Sequence, residues 1–231
     1  MAKILIVEDD KRTNMAICEY LKPTGHNIVS AYDGEEALQL FHSTTIDLIV
    51  LDIMLPRLTG IAVLHEIRKS SLIPVLMLTA IEDEYTQSQS FDELADDYVT
   101  KPFNSMELIA RVNSQIRRYT KLGSAIQSEG NTYQTGELLI DDNTKQVMVD
   151  GKEIKLTPTE YNILKFLLKN KGKVYSIEQI YENVWEEESY GAENIIAVHI
   201  RHIREKIEIN PKEPKYLKVI WGVGYKIENI S

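Results

Sequence analysis

The chain has 231 residues, a length that suits two domains, and 43% of them are hydrophobic, which is ordinary for a globular protein. Its formal net charge is −9, so the chain is not basic overall and any contact with nucleic acid has to be local. No apolar stretch reaches the roughly 18 residues of a membrane span, the N-terminus shows no signal-peptide pattern, and Cys18 is the single cysteine; we therefore expect a cytoplasmic protein with no membrane partner.

Residues 1 to 119 alternate strand and helix patterns. Helical patterns such as Glu35–Phe41 and Ile61–Lys69 lie between apolar strands, and Ser105 is a candidate N-cap for a last helix that ends near Tyr119. Five strands that alternate with helices predict an α/β fold with a five-stranded, doubly wound parallel sheet. The predicted strands are Lys3–Val7, Asn27–Ala31, Leu48–Leu51, Val75–Leu78 and Asp97–Thr100.

Residues 121–131 are small and polar, lack periodicity, and are predicted to form a linker. After them come short strands at Leu138–Asp141, Gln146–Val149 and Lys152–Lys155, with a turn at Asp150-Gly151. Helical patterns follow, one of which opens with Ser176 and Gln179 in capping-box spacing, and the chain ends in a hairpin around a Gly-Val-Gly turn. This order predicts an α+β winged helix-turn-helix domain over residues 132–231.

Polar side chains follow the predicted parallel strands at the point where each strand ends. They are Glu8 and Asp9 after the first, Asp52 at the third, Thr79 at the fourth and Lys101 at the fifth. Because ligands of open α/β sheets bind outside the carboxyl ends of the strands, we expect these side chains to converge. Carboxylates there suit a hard cation such as Mg²⁺, and Asp52 can then attack a phosphoryl donor. Thr79 can donate a hydrogen bond to the phosphoryl group, and Lys101 can pair with it.

Four stretches, ILIVEDD, LIVLDIMLP, VLMLTA and ADDYVTKPF, resemble the receiver domain of two-component response regulators, which implies a flavodoxin-like receiver over residues 1–120. The resemblance implies that a sensor histidine kinase phosphorylates Asp52, and that Lys101, joined to Pro102 by a cis bond, binds the phosphate. The implied Mg²⁺ ligands are Glu8, Asp9, Asp52 and the carbonyl of Ile53, and the implied switch residues are Thr79 and Tyr98. It also implies a homodimer on activation, for which the charged positions are Asp96, Asp97, Glu107, Arg111 and Arg118; ordinary solvated surface is the alternative for these five.

The periodicity of residues 193–208 indicates which face of this predicted helix packs inside the domain and which is exposed. Its apolar stripe consists of Ile196, Ile200, Ile203 and Ile207. On the opposite side, Asn194, Val198 and Arg201 could enter a major groove, with Arg201 at a guanine edge and Val198 at a thymine methyl. The flanking residues His199, His202 and Arg204 are candidates for further DNA contacts, His199 and Arg204 at phosphates. The alternative is an exposed helix with ordinary charges, and a metal site at the two histidines lacks a third ligand.

The stretches LTPTEYNILKFLLKN, AVHIRHIREKI and GVGYKI resemble the effector domain of the OmpR/PhoB family. The resemblance implies a transcriptional regulator that binds double-stranded promoter DNA as a dimer on repeated half-sites, with RNA polymerase as a further candidate partner. The chain departs from the family pattern at Gln87, Leu94, Ile177 and Trp221. Two arginines expected at DNA are replaced by Ile177 and Trp221, so we expect weaker and less salt-dependent binding, although Trp221 could stack on the sugar-phosphate edge.

Two alternative functions use the same residues. An aspartyl-phosphate hydrolase also needs a strand-end aspartate and Mg²⁺, but such enzymes typically carry a second aspartate where this chain has Met54. The second domain would then have no role, and we expect that the protein is not an enzyme. A regulator of the same fold that binds DNA without phosphorylation remains open, although the set of phosphorylation-site residues is complete.

Overall fold

The computed structural model describes residues 1–80, 95–123, 132–186 and 193–230. Its contacts divide the chain into two compact units, Met1–Tyr119 and Thr120–Ser231. The last helix of the first unit continues to Gly123, so the described start of the predicted linker is helical. In the described ranges, no helix is both long and apolar enough to cross a lipid bilayer.

Five parallel strands form the sheet of the first unit, in the order β2-β1-β3-β4-β5. They are β1 (Lys3–Val7), β2 (Asn27–Ala31), β3 (Leu48–Asp52), β4 (Val75–Ala80) and β5 (Asp97–Lys101). The predicted parallel sheet is confirmed, and β3, β4 and β5 each extend further than predicted, so that Asp52, Thr79 and Lys101 belong to the strands themselves. Strand β1 lies between β2 and β3, so the chain passes from β1 to β2 on one side and then crosses to β3 on the other side. Such a reversal of strand order is where α/β sheets form their ligand crevice.

Helices cover both faces of this sheet. They are α1 (Lys11–Leu21), α2 (Gly34–Ser43), α3 (Gly60–Arg68) and α4 (Ser105–Gly123), with a short 3₁₀ turn (Lys22–Thr24) after α1. Ile6 and Val50 on one face of the sheet join the core formed with Ile17 of α1 and Val112 of α4. Because neighbouring residues of a strand point to opposite faces, the equally buried Leu5 points to the side of α2 and α3. The sheet is therefore buried on both faces, as its continuous apolar strands predicted.

The second unit begins with an antiparallel sheet and continues with helices and a hairpin. The strands are β6 (Thr132–Thr135), β7 (Leu138–Asp141), β8 (Gln146–Val149) and β9 (Lys152–Glu153). The helices are α5 (Pro158–Lys169), α6 (Ile177–Trp185) and α7 (Glu193–Ile207), and the hairpin consists of β10 (Leu217–Ile220) and β11 (Gly224–Ile227). The winged-helix prediction is confirmed, as is the capping box that Ser176 and Gln179 form at α6. Strand β6 was not predicted, because TYQT has a single apolar side chain to mark it.

Asp142 connects the turn after β7 with helix α5. Its carboxylate accepts hydrogen bonds from the Tyr161 hydroxyl at 2.7 Å and from the Nζ atoms of Lys145 and Lys165 at 2.6 Å each. Partial burial by itself raises the pKa of Asp142, but these three donors outweigh it and hold the pKa below its ordinary value. The charged carboxylate is therefore a stabilising contact of the second unit.

We expect Asp142→Asn to lower the free energy of unfolding of the second unit by about 1 kcal/mol at neutral pH, after allowance for solvent screening. Because the pKa is lower in the folded chain, the carboxylate stabilises fully above its unfolded pKa and loses this effect as the pH falls through its folded pKa. Urea unfolding of the wild type and of Asp142→Asn should thus give a difference in unfolding free energy that shrinks below about pH 3.8, the ordinary pKa of an aspartate. Glu153→Gln, at an exposed carboxylate of the same sheet, is the control. A difference that stays constant with pH would contradict the expectation.

Candidate functional site

The carboxylates that end β1 and β3 lie side by side at the carboxyl edge of the sheet. Val7 pairs with Leu51 in the β1–β3 register, so Glu8 and Asp52 are adjacent. Oxygen atoms of Glu8, Asp9 and Asp52, which we call the acidic pocket, all lie within 4.8 Å of one another. Glu8 and Asp52 are buried, while Asp9 is exposed and opens the pocket to solvent. Three carboxylates with one open side form a donor set that fits a hard divalent cation.

Lys101 at the end of β5 reaches into the acidic pocket. Its Nζ atom donates hydrogen bonds to Asp52 at 2.8 Å and to Glu8 at 2.5 Å. Burial lowers the pKa of Lys101, but the hydrogen bonds to the two carboxylates outweigh burial and raise it, so the ammonium group stays charged. Burial is also the largest influence on Glu8 and raises its pKa, against the hydrogen bond from Lys101. The peptide bond between Lys101 and Pro102 is cis, as the resemblance implied.

Thr79 and Ile53 lie beside Asp52 at the carboxyl edge of the sheet, whereas Tyr98 lies in β5, where it pairs with Met77 of β4. Leu78 is the register partner of Asp52, and Thr79 follows it with its side chain buried. Tyr98 is also buried, with 6% of its surface exposed. The Ile53 N–H donates to the Leu78 carbonyl at 3.1 Å, and the Ile53 carbonyl, an expected Mg²⁺ ligand, accepts a hydrogen bond from the N–H of Gly60 at 3.0 Å. The loop after Asp52 is thus hydrogen-bonded to β4 through Leu78 and to the start of α3 through Gly60.

Asn14 of α1 supports the acidic pocket and was missed in the sequence. Its Nδ2 group donates hydrogen bonds to the carbonyls of Glu8 and Ala31, at 3.2 Å each, so it ties the ends of β1 and β2 together. The side chain is 1% exposed. The available signal was a polar residue on the buried face of the helix, in i, i+3, i+7 spacing with Ile17 and Leu21.

Four of the five charged residues predicted for a dimer face are buried within the first unit, and the dimer contact itself stays a prediction. Arg68 donates to Asp96 at 2.7 Å, and the Val75 N–H donates to the same carboxylate oxygen at 2.9 Å. Arg111 pairs with Asp97 at 2.9 Å and, through Nε, with Glu107 at 3.1 Å. These intrachain ion pairs satisfy charges that would be costly to bury alone. The buried members of the set are Asp96, Asp97, Arg111 and Arg118.

Helix α7 has the two faces that its periodicity predicted. The four isoleucines of the stripe are buried, whereas Ala197, Arg201 and Glu205 are exposed and Val198 is half-buried. The Arg201 Nε atom donates to Glu205 at 3.0 Å, one turn along the same face. The side chain of Asn194 lies outside the described part of the chain. The exposed face therefore carries small apolar side chains beside an arginine, residue types that can contact base edges in a major groove.

The buried face of α7 is wider than the isoleucine stripe, and this overturns part of the DNA-contact prediction. His199 is 2% exposed and lies beside Trp185 of α6, with ring centroids 6.0 Å apart. His202 is 4% exposed, and burial lowers its pKa. Because both imidazole side chains are buried inside the unit, the prediction that His199 and His202 contact DNA is wrong. Arg204 is half-buried, and its Nε atom donates to the Leu217 carbonyl at 2.9 Å rather than extending towards a phosphate.

Two residues that depart from the family pattern differ in exposure. Trp221, in the turn between β10 and β11, is 88% exposed, while Ile177 at the start of α6 is half-buried. Gln87 and Leu94 lie outside the described residues. The hairpin thus presents an aromatic ring to solvent at the position where an arginine was expected.

Comparison with known protein families supports both units. The family described as "Response regulator receiver domain" matches residues 4–113, which include all members of the acidic pocket and Lys101. The family described as "Transcriptional regulatory protein, C terminal" matches residues 151–227, which include α5, α6, α7 and the hairpin.

Several proteins match this chain from end to end. The uncharacterized transcriptional regulatory protein YcbL of Bacillus subtilis is 42% identical over 96% of this chain and 99% of its own. The regulatory protein VanR of Enterococcus faecium is 41% identical over 98% of both chains. Among solved structures, the response regulator DrrB, a Thermotoga maritima OmpR/PhoB homolog, is 35% identical over 99% of both chains with a TM-score of 0.52.

Proposed function

Because the chain belongs to the OmpR/PhoB family of two-component response regulators, we propose that phosphorylation of Asp52 controls its activity as a DNA-binding transcriptional regulator. The observation that carries this proposal is the setting of Asp52, a buried carboxylate with Lys101 at 2.8 Å and two further carboxylates within 4.8 Å. Residues 1–120 would form the receiver domain, 121–131 the linker and 132–231 the DNA-binding domain.

The residues of the acidic pocket have the chemistry to accept a phosphoryl group. Glu8, Asp9 and Asp52, with the Ile53 carbonyl, would hold Mg²⁺, which when bound neutralises negative charge on the phosphoryl oxygens. A carboxylate oxygen of Asp52 attacks the phosphorus of a phosphohistidine on the sensor kinase, and the bond from phosphorus to the imidazole nitrogen breaks. Lys101 places its charge beside the transferred group, and Thr79 donates a hydrogen bond to it.

Phosphorylation adds acceptor oxygens and negative charge at the edge of the sheet. A local change of charge alters DNA binding only by biasing an element that has two arrangements. We assign this switch role to Thr79 and Tyr98. The phosphorylated receiver would form a homodimer, and the ion pair between Glu107 and Arg111 would have to open for both to contact a partner subunit. We place this regulator in the cytoplasm, with promoter DNA and RNA polymerase as partners, and assign it no enzymatic activity of its own.

DNA recognition is assigned to the exposed face of α7 and to the hairpin. Asn194, Val198 and Arg201 would face the bases of the major groove, and Trp221 would contact the duplex beside it. Selection from a random pool of double-stranded DNA, with and without an acyl phosphate and Mg²⁺, tests the whole function. We expect phosphorylation to tighten binding of the selected duplex at least tenfold. Full affinity without phosphorylation would favour the phosphorylation-independent alternative, and the absence of a selected sequence in both states would contradict DNA binding.

Substitution of Trp221 by arginine is expected to make DNA binding more salt-dependent. Each phosphate neutralised by a cation steepens the slope of log K against log salt by about 0.9 on B-DNA, so Trp221→Arg should steepen it by about that amount. Trp221→Ala should weaken binding by about 1–3 kcal/mol if the ring stacks on the duplex, and leave the slope unchanged. Both follow from titrations of labelled DNA at several salt concentrations.

The control for added charge is Leu72→Arg, an exposed position of the other unit. It changes the net charge as Trp221→Arg does, without adding a cation near the hairpin. If Leu72→Arg steepens the slope equally, the effect is one of net charge and Trp221 does not lie at the DNA.

A further inference from the structure

Leu217, the first residue of β10, is held through both polar groups of its backbone by side chains at and just after the end of α7. Its N–H group donates to Oε1 of Glu208 at 2.8 Å, and its carbonyl accepts from Nε of Arg204 at 2.9 Å. Arg204 and Glu208 are one helical turn apart, and the Glu208 N–H donates to the Arg204 carbonyl at 2.9 Å. The helix thus offers Leu217 the donor and the acceptor that a neighbouring strand would offer.

Glu208 holds more of the same segment. Its carboxylate also accepts the N–H groups of Tyr216 at 2.8 Å and Lys215 at 2.6 Å, and the side chain is 8% exposed. A buried carboxylate that accepts three backbone hydrogen bonds is expensive to disturb, because each N–H would lose a charged acceptor. Glu208 and Arg204 therefore hydrogen-bond the first strand of the hairpin to the end of the helix.

The second strand of the hairpin is attached at the same level. The Arg204 guanidinium carbon lies 6.0 Å from the ring centroid of Tyr225 in β11. Tyr225 also exchanges two backbone hydrogen bonds of 2.9 Å with Tyr175, the residue before the N-cap of α6. The base of the hairpin is fixed, while its turn carries the exposed Trp221.

We propose that Arg204 and Glu208 are positioning residues that hold the hairpin at a fixed distance from α7, so that Arg201 and Trp221 engage one DNA duplex together. This proposal rests on the DNA-binding function assigned above. Holding two contacts at the spacing required by the duplex removes the entropy cost of arranging them during binding. Neither positioning residue touches DNA itself, and the selected duplex should tolerate a single spacing between its two contacted segments.

If only charge mattered, loss of Arg204 would weaken DNA binding, whereas loss of the Glu208 charge would tighten it. If Arg204 were a phosphate contact, Arg204→Met would make the salt slope shallower by about 0.9. If Glu208 were merely an acid near DNA, Glu208→Gln would tighten binding by removing repulsion. If both hold the hairpin, each substitution weakens binding with an unchanged slope, since a glutamine has a single acceptor oxygen and leaves an N–H of the segment opposite its amide group.

The test uses the full chain and the selected duplex, with affinity measured over a range of salt concentrations. We expect Arg204→Met and Glu208→Gln each to weaken binding at least fivefold without changing the slope. The double variant should bind DNA no more weakly than whichever single variant binds less tightly, because both substitutions act on the same contact of the hairpin with the duplex. DNA with one base pair inserted between the two contacted segments should lose less affinity for the variants than for the wild type.

Ile163→Val, a core substitution in α5, controls for lost stability, since Ile163 is fully buried and lies in another helix. All measurements are made well below the unfolding transition of each variant. The fluorescence of Trp221 supplies a local readout. The other of the two tryptophans, Trp185, is fully buried and serves as a constant background. Acrylamide quenching and fluorescence anisotropy of free protein should show a more mobile Trp221 in Arg204→Met and Glu208→Gln, and no change in Ile163→Val.

The outcomes separate this proposal from the function on which it rests. Wild-type protein that selects no DNA sequence contradicts the function. Wild-type binding with unchanged or tighter binding by Glu208→Gln overturns the positioning role alone. So does a shallower salt slope in Arg204→Met, or an equal loss of affinity in Ile163→Val.

Discussion

Asp52→Asn is expected to abolish phosphorylation of the protein by an acyl phosphate in the presence of Mg²⁺. The amide keeps the shape of the side chain but lacks the nucleophilic carboxylate oxygen, so the rate should fall by at least about 100-fold. Lys101 retains its hydrogen bond to Glu8 at 2.5 Å, and we therefore expect the variant to fold. Intact-mass spectrometry follows the modification, and fragmentation of the wild-type protein should place the phosphoryl group on Asp52.

Glu19→Gln removes one carboxylate from an exposed position of α1 and serves as the matched control. It should be phosphorylated at the wild-type rate. Removing Mg²⁺ with a chelator should reduce the wild-type rate to that of Asp52→Asn, since the carboxylates of the acidic pocket then face the donor without a neutralising cation. A phosphoryl group on another residue of the wild-type protein, or a chelator-resistant reaction, would be incompatible with the proposed site.

Gly60→Ala is expected to lower the free energy of unfolding of the first unit by about 3 kcal/mol or more. A Cβ atom on Gly60 would lie 2.0 Å from the carbonyl oxygen of Asp52 and 2.9 Å from its carbonyl carbon. Both are backbone atoms of a fully buried strand, so they cannot move aside without displacing Asp52. The same substitution should therefore also slow phosphorylation of Asp52, as measured by the rate of the mass change.

Local helix propensity predicts the opposite result. Gly60 is the first residue of α3, and alanine is favoured over glycine in helices by about 1 kcal/mol. Gly25→Ala is the control, because Gly25 has φ of +75° and no atom within 4 Å of the added Cβ, so that its cost is limited to backbone strain of about 1 kcal/mol. Chemical unfolding of the three proteins decides the question. Equal stability of Gly60→Ala and Gly25→Ala would show that the close approach at Asp52 is relieved at little cost.

The alternation of strands and helices, and the residues at the strand ends, followed from the sequence alone. The apolar strand β3 and the capping box of Ser176 and Gln179 are local features, specified by neighbouring residues. The parallel sheet then brings strand ends to one edge whatever the details of packing, and so Glu8, Asp52 and Lys101 were predicted to meet. The resemblance added residue roles that these patterns do not contain, such as those of Thr79 and Tyr98.

Other features depended on contacts between residues far apart in the chain. His199 and His202 lie next to the apolar stripe of α7, and only the packing of other elements, such as Trp185 of α6 beside His199, decides that they are buried. Asp96 looked like a surface charge until Arg68, 28 residues earlier, was found paired with it. In each case the neighbouring residues in the sequence do not distinguish an exposed environment from a buried one.

The sequence by itself therefore determined the order of elements, the α/β and winged-helix architectures and the edge at which the acidic pocket forms, because these depend on periodicity and on strand direction. The tertiary structure alone decided which polar residues are exposed and which are structural. Arg204 is the clearest case: it lies on the helix to which we assign DNA contact, yet it donates to the carbonyl of Leu217, 13 residues later. Buried hydrogen bonds of this kind join partners whose separation in sequence carries no periodic signal, so only the folded chain reveals them.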